Sequence, residues 1–143
     1  MQALAFYVPN LILKAIQMGL ASLMLVQAAT TSTPVLPVSE QIKQEIVNQS
    51  LAQDLDPKLA TQIAKCESQF RQFDDKTGDV LRGVHNPQDV GVFQINEKYH
   101  LERASKLGYD IYTLEGNVGY GLYLLKMEGT RHWISSKPCW SPA

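Results

Sequence analysis

What this 143-residue chain has little of narrows the field first. It has two cysteines, Cys66 and Cys139, and no Cys-x-x-Cys pair, which removes dithiol redox chemistry and any cysteine-based zinc set. Its three histidines, His85, His100 and His132, are widely separated in polar contexts, and no two have metal-ligand spacing on one helix. They read as surface or loop hydrogen-bonding groups, and neither a metal nor a cofactor is expected. Basic residues number 13 and acidic residues 14, a formal charge of −1. That balance lacks the surplus of cations that nucleic acid or an anionic membrane calls for in a partner. No internal repeat and no low-complexity tract is present.

Acid is missing altogether from residues 1–29, where Lys14 is the single cation. An apolar run, Ala15 to Val26, follows that lysine and leads into Val26-Gln27-Ala28, with Val26 and Ala28 at the two positions a signal peptidase reads. The run is too short to cross ~30 Å of hydrocarbon comfortably and fits the h-region of a signal peptide. An uncleaved anchor or a buried first helix is the alternative. Residues 1–28 are therefore expected to be a leader, 29–38 a linker and 39–143 one folded domain, exported to the extracellular space or cell envelope and monomeric. In an exported small domain an even cysteine count favours a Cys66–Cys139 disulfide, although two buried free thiols are also consistent with the count.

Within the domain the periodicity is mainly helical. Thr30 to Val38, with Pro34 and Pro37, reads as extended chain. Ser39 is placed to cap a helix through Ile42 and Ile46 to about Leu55, with Glu40 in its first turn. Asp56-Pro57 restarts a helix, Asp as N-cap and Pro at the first helical position, running to about Gln69. Lys76-Thr77-Gly78-Asp79 predicts a turn within a small hairpin or irregular loop spanning 71–86. A helix over 98–107 ending at Gly108 is expected next, followed by a Thr113-capped helix over 114–128 closed by Gly129. The aromatic, Cys-bearing stretch Trp133 to Trp140 should pack down, with Trp133 and Trp140 in the core rather than stacked on a ligand.

The chemistry concentrates around Glu67. Leu59, Ile63 and Glu67 lie four apart, so the carboxyl continues an apolar stripe completed by Ala60, Ala64, Cys66 and Phe70. Burial and the negative end of the helix dipole both raise a carboxyl pKa there. A carboxyl still protonated near neutral pH is what a glycosidase needs to protonate a leaving oxygen. A Glu at the stripe's edge, turned to water or paired with Lys65 or Arg71, is the plainer alternative. Downstream, in Asn86-Pro-Gln-Asp-Val-Gly-Val-Phe-Gln-Ile-Asn96, Gly91 permits close backbone approach and Gln94 offers an amide suited to sugar hydroxyl and acetamido groups.

Taken together, Cys66-Glu67-Ser68-Gln69-Phe70, then Asp89-Val-Gly-Val-Phe-Gln-Ile-Asn96, then Asn117-Val118 with Gly121 and Leu124-Leu125, resemble the lysozyme-like lytic transglycosylase family. That family carries Glu-Ser-x-Phe, Gly-Leu-Met-Gln and Asn-Ile-x-x-Gly-x-x-Tyr-Leu in this order. The resemblance runs from about Leu51 to Leu125. It implies a mainly α, goose-lysozyme-like domain (α+β, lysozyme-like) whose small hairpin or loop region flanks a peptidoglycan cleft, with Glu67 as the single acid/base. It also implies cleavage between N-acetylmuramic acid and N-acetylglucosamine to give 1,6-anhydro ends. Gln94 would contact the sugar or orient the acid, Ser68 would support the site, and Asn117 would hold the helix start or the Glu67 loop. Peptidoglycan strands are the implied partner, with cell-envelope machinery as a further candidate.

Three departures from the pattern bear on the reaction. Phe93 stands where the family has Met, in what would be a groove wall. The family's late tyrosine falls on Leu124, leaving Tyr120, one turn earlier, as a substitute that is equally consistent with a core or surface tyrosine. Asp89 also resembles the second carboxylate of chicken-type lysozymes, which opens a hydrolytic alternative. A retaining hydrolase needs its two carboxyls about 5 Å apart. Some export-apparatus transglycosylases carry Asp here too, and the side chain would also suit bracing the turn at Gly91. A non-catalytic glycan-binding module and an exported helical adaptor are the readings from other classes.

Overall fold

Helix α1 begins two residues earlier than the sequence suggests, and Ser39 does not cap it. In the computed structural model, which describes residues 35–141, Val38–Ala52 is helical and extended Pro37 (ψ 146°) is the N-cap. The Pro37 carbonyl accepts from the amides of Glu40 and Gln41, each at 3.0 Å, so the helix starts on a carbonyl rather than a side chain. The expected leader and residues 29–34 of the expected linker lie outside the described residues. Helix α2, Pro57–Ser68, has the expected start, with Asp56 Oδ1 accepting from the Lys58 amide at 2.9 Å.

The chain then loops through residues 69–88. Asp74 Oδ1 accepts from the amides of Lys76 and Thr77, and Gly78 turns the chain in the left-handed region (φ 76°), so that Phe73 and Val80 form an antiparallel bridge. This is the small hairpin-like loop expected over 71–86. Two-residue strands β1 (Asp89–Val90) and β2 (Ile95–Asn96) pair antiparallel, Asp89 opposite Asn96. Helices α3 (Glu97–Lys106) and α4 (Leu114–Glu128) follow, and Thr113 Oγ1 accepts from the Gly116 amide to cap α4. A 3-10 segment, Gly129–Ser136, leads into the short helix α5, Lys137–Trp140.

The architecture is mainly helical with one small sheet. Helix α4 is its axis: every residue from Gly116 to Leu122 is buried, as are Leu124 and Leu125. A helix apolar nearly all round belongs inside. Helix α1 packs on α2 and α4, the 3-10 segment on the same pair, and α5 on α2. Gly121 permits a close approach, since a Cβ there would lie 2.6 Å from the Phe93 ring. Among the described residues no helix is long and apolar enough to cross a membrane.

Cys66 and Cys139 are bonded, with Cα atoms 6.0 Å apart and a sequence separation of 73. The bridge ties the end of α2 to α5, and Trp133 and Trp140 are buried beneath it, as the composition of that stretch suggests. On the chain-entropy model a loop of this length contributes about 4 kcal/mol. Replacing both cysteines by Ser is expected to lower stability in urea unfolding by roughly 2–5 kcal/mol. A loss below half a kcal/mol would mean that packing of the two tryptophans holds the tail without the bond.

Candidate functional site

Glu67 lies in the last turn of α2, beside the buried row Ala60, Ile63, Ala64 and Ser68. It is half-buried and lines a groove of about 810 Å³. A volume of this size is in the range of ligand sites. Burial raises the Glu67 carboxyl above its ordinary value; a hydrogen bond from Ser136 pulls it down, and the negative charge of Asp89 pushes it up again, the net being upward. Ser136 Oγ donates to Glu67 Oε1 at 2.5 Å and in turn accepts from the Trp140 indole at 3.1 Å. The same Ser136 Oγ also lies 3.1 Å from the Trp133 carbonyl, which holds it beside the acid.

The chain reverses sharply just beyond the acid. Gln69 (φ 57°) and Phe70 (φ 61°) are both left-handed without being glycine. Such residues cost on the order of 1–3 kcal/mol each and persist where their surroundings over-determine them. Ser68 is one of the constraints: its buried Oγ donates to the Ala64 carbonyl and accepts from the Arg71 amide, both at 3.2 Å. Ser68 therefore ends the helix and does not line the groove, in contrast to a substrate-binding role.

Across the groove, Asp89 and Gln94 stand on the β1–β2 unit. Gln94 is the fourth left-handed non-glycine residue among those described (φ 48°), and its Nε2 donates to the Gly91 carbonyl at 2.9 Å, so the amide faces the groove from a self-braced turn. Asp89 Oδ1 accepts from Asn96 Nδ2 at 2.7 Å and Asn86 Nδ2 at 3.1 Å. That carboxylate oxygen is thus engaged in clamping β1 to its flanks.

Three residues expected near the substrate lie elsewhere. Asn117 is fully buried: its Oδ1 accepts from the Phe93 amide and its Nδ2 donates to the carbonyls of Val90 and Ile111, all at 2.9 Å. It satisfies loop backbone that would otherwise be stranded in the core, so it holds the groove wall from behind. Phe93 is likewise buried, against Gly121 and Trp133 (ring centroids 5.7 Å apart), and is not groove wall. Tyr120 is buried with its hydroxyl 3.0 Å from His100 Nδ1, and it meets the groove only through that ring.

The sequence missed several members. Ser136 could have been found, since it lies one turn before Cys139, whose partner is adjacent to Glu67. His85, exposed in its loop, and His132, exposed and bonded to Glu128, keep the surface or loop role expected of them, but with half-buried His100 they also line the groove, which the sequence did not suggest. Gln72, fully buried, mirrors Asn117: its Oε1 accepts from the Val92 amide at 3.1 Å and its Nε2 donates to the Tyr112 carbonyl at 3.1 Å. Nothing in a polar loop sequence marks it. No family model, no curated protein and no solved structure matches the chain.

Proposed function

We propose that the protein is an exported peptidoglycan lytic transglycosylase of lysozyme-like fold, with Glu67 as its single acid/base. The observation that carries this reading is a half-buried carboxyl, raised in pKa, lining the same groove as Gln94. The order of motifs around Glu67, Gly91–Gln94 and Asn117 adds to it. The disulfide suits an oxidising compartment outside the cytoplasm.

In the proposed reaction Glu67 gives its proton to the oxygen linking N-acetylmuramic acid to N-acetylglucosamine, and the bond from C1 to that oxygen breaks. The carboxylate then takes the proton of the muramoyl 6-hydroxyl while O6 bonds to C1. The products are a free 4-hydroxyl and a 1,6-anhydro end. No water is consumed, and Glu67 ends protonated.

Two asparagine amides on Oδ1 hold the Asp89 carboxylate in place. It also lines the groove, and its charge reaches Glu67, which is what a hydrolytic muramidase would use. Mass spectrometry of fragments released from purified sacculi separates the two. Fragments one water lighter than reducing muropeptides are expected. Reducing ends, lost on Asp89→Asn, would establish the hydrolase instead, and binding without release of fragments would establish a non-catalytic module.

A further inference from the structure

Among the groove-lining residues there is no Lys and no Arg, and the side chains able to carry positive charge are the three histidines. Two of them form an ordered pair: the His100 and His132 rings are 5.0 Å apart, edge to face. Each is anchored on its far side. His132 Nε2 is 2.7 Å from Glu128 Oε2, and Glu128 is also held by Arg103 and Arg131. His100 Nδ1 is 3.0 Å from the hydroxyl of fully buried Tyr120.

That last contact sets the tautomer. The Tyr120 hydroxyl has no other hydrogen-bond partner among the described residues, and a buried hydroxyl proton left unpaired costs ~1–3 kcal/mol. The hydroxyl therefore donates to Nδ1, which places the ring proton on Nε2. Burial, then the neighbouring His132, lower the His100 pKa and keep the ring neutral. His100 Nε2 has no partner among the described residues and is not among the buried atoms that lack one, so it is open to solvent in a residue that lines the groove.

We infer that His100, oriented by the Tyr120 hydroxyl and backed by His132, is a positioning residue that donates from Nε2 to the acetamido carbonyl of a bound amino sugar. A fixed, neutral N–H complements a group that only accepts. Sugar hydroxyls both donate and accept. A substrate carboxylate is disfavoured by Asp89 in the same groove and by the lack of Lys or Arg on its walls.

The inference rests on the glycan reading above, and its test separates the two. Glu67→Gln protein, which binds without turnover, is titrated by calorimetry with two uncharged β-1,4-linked tetramers, one of N-acetylglucosamine and one of glucose. The acetylated tetramer is expected to bind more tightly, and adding His100→Ala should reduce that preference by about threefold to tenfold, the weight of one hydrogen bond. Tyr120→Phe should reduce it less and leave affinity for the glucose tetramer unchanged. Histidine ¹⁵N shifts of the wild-type protein need no variant, and they should report His100 protonated on Nε2 alone. A preference that survives His100→Ala, or an Nδ1-protonated or charged ring, overturns the inference and leaves the glycan reading standing. Failure of both tetramers and of sacculi to bind the wild-type protein overturns the glycan reading itself.

Discussion

Glu67→Gln is expected to lower the rate of sacculus cleavage by roughly 10²–10⁴-fold, the usual contribution of a positioned general acid. The amide keeps the shape of the carboxyl and can still accept from Ser136, but it has no proton to give. Turbidity loss of purified sacculi measures the effect, and an unchanged rate would remove Glu67 from the mechanism. The wild-type rate should fall as pH climbs through the raised Glu67 pKa, because the acid form is lost there. Stability follows the same ionisation. Below the ordinary carboxyl pKa, Glu67 is protonated both folded and unfolded and contributes nothing. As pH rises towards and past its raised folded value, the unfolded chain ionises first and the fold is penalised. At neutral pH the Gln variant should therefore melt at or above the wild-type temperature while having lost its activity.

Gly91→Ala should have the largest effect on stability, about 3–5 kcal/mol, a large share of the 5–15 kcal/mol typical of a whole domain. Gly91 is left-handed (φ 70°), and an added Cβ would lie 2.4 Å from Gln72 Oε1 and 2.5 Å from Asn117 Nδ2. Neither amide can retreat, because each is hydrogen-bonded to backbone on both sides. Gly78→Ala is the control. It has the same backbone sign (φ 76°) but open space around the new atom, so only conformational strain of about 1 kcal/mol is expected. Urea unfolding of the two variants compares clash plus strain with strain alone. Equal losses would mean that the Gln72–Asn117 clamp is not what fixes the groove wall.

The two predictions draw on different levels of legibility. The Asp56-Pro57 start, the Thr113 cap and the Gly129 stop are written in local chemistry, and the helices begin and end there within a residue. Ser39 misled because capping depends on where the carbonyls ahead of the helix lie. Pro37 had already set that geometry, and Ser39 falls inside the first turn. Glu67 could be singled out because its four-residue spacing placed a charge beside an apolar row. Asn117 and Tyr120 could be singled out too, but not their surroundings. Whether a polar side chain on a helix buried nearly all round faces ligand or backbone depends on what packs against it, and here those neighbours come from residues 90–93, 100 and 111.

Most helix limits, the cysteine pairing and the placing of Glu67 beside an apolar row follow from residue type and spacing, because capping, periodicity and an even thiol count act over a few residues or through composition. The groove does not. Ser136 reaches Glu67 across 69 positions, and the His100–His132 pair and the Gln72–Asn117 clamp join segments that share no sequence pattern. Those contacts exist because α4 is buried on nearly every side and draws each of these segments around it, an arrangement set by long-range packing and invisible to any local rule.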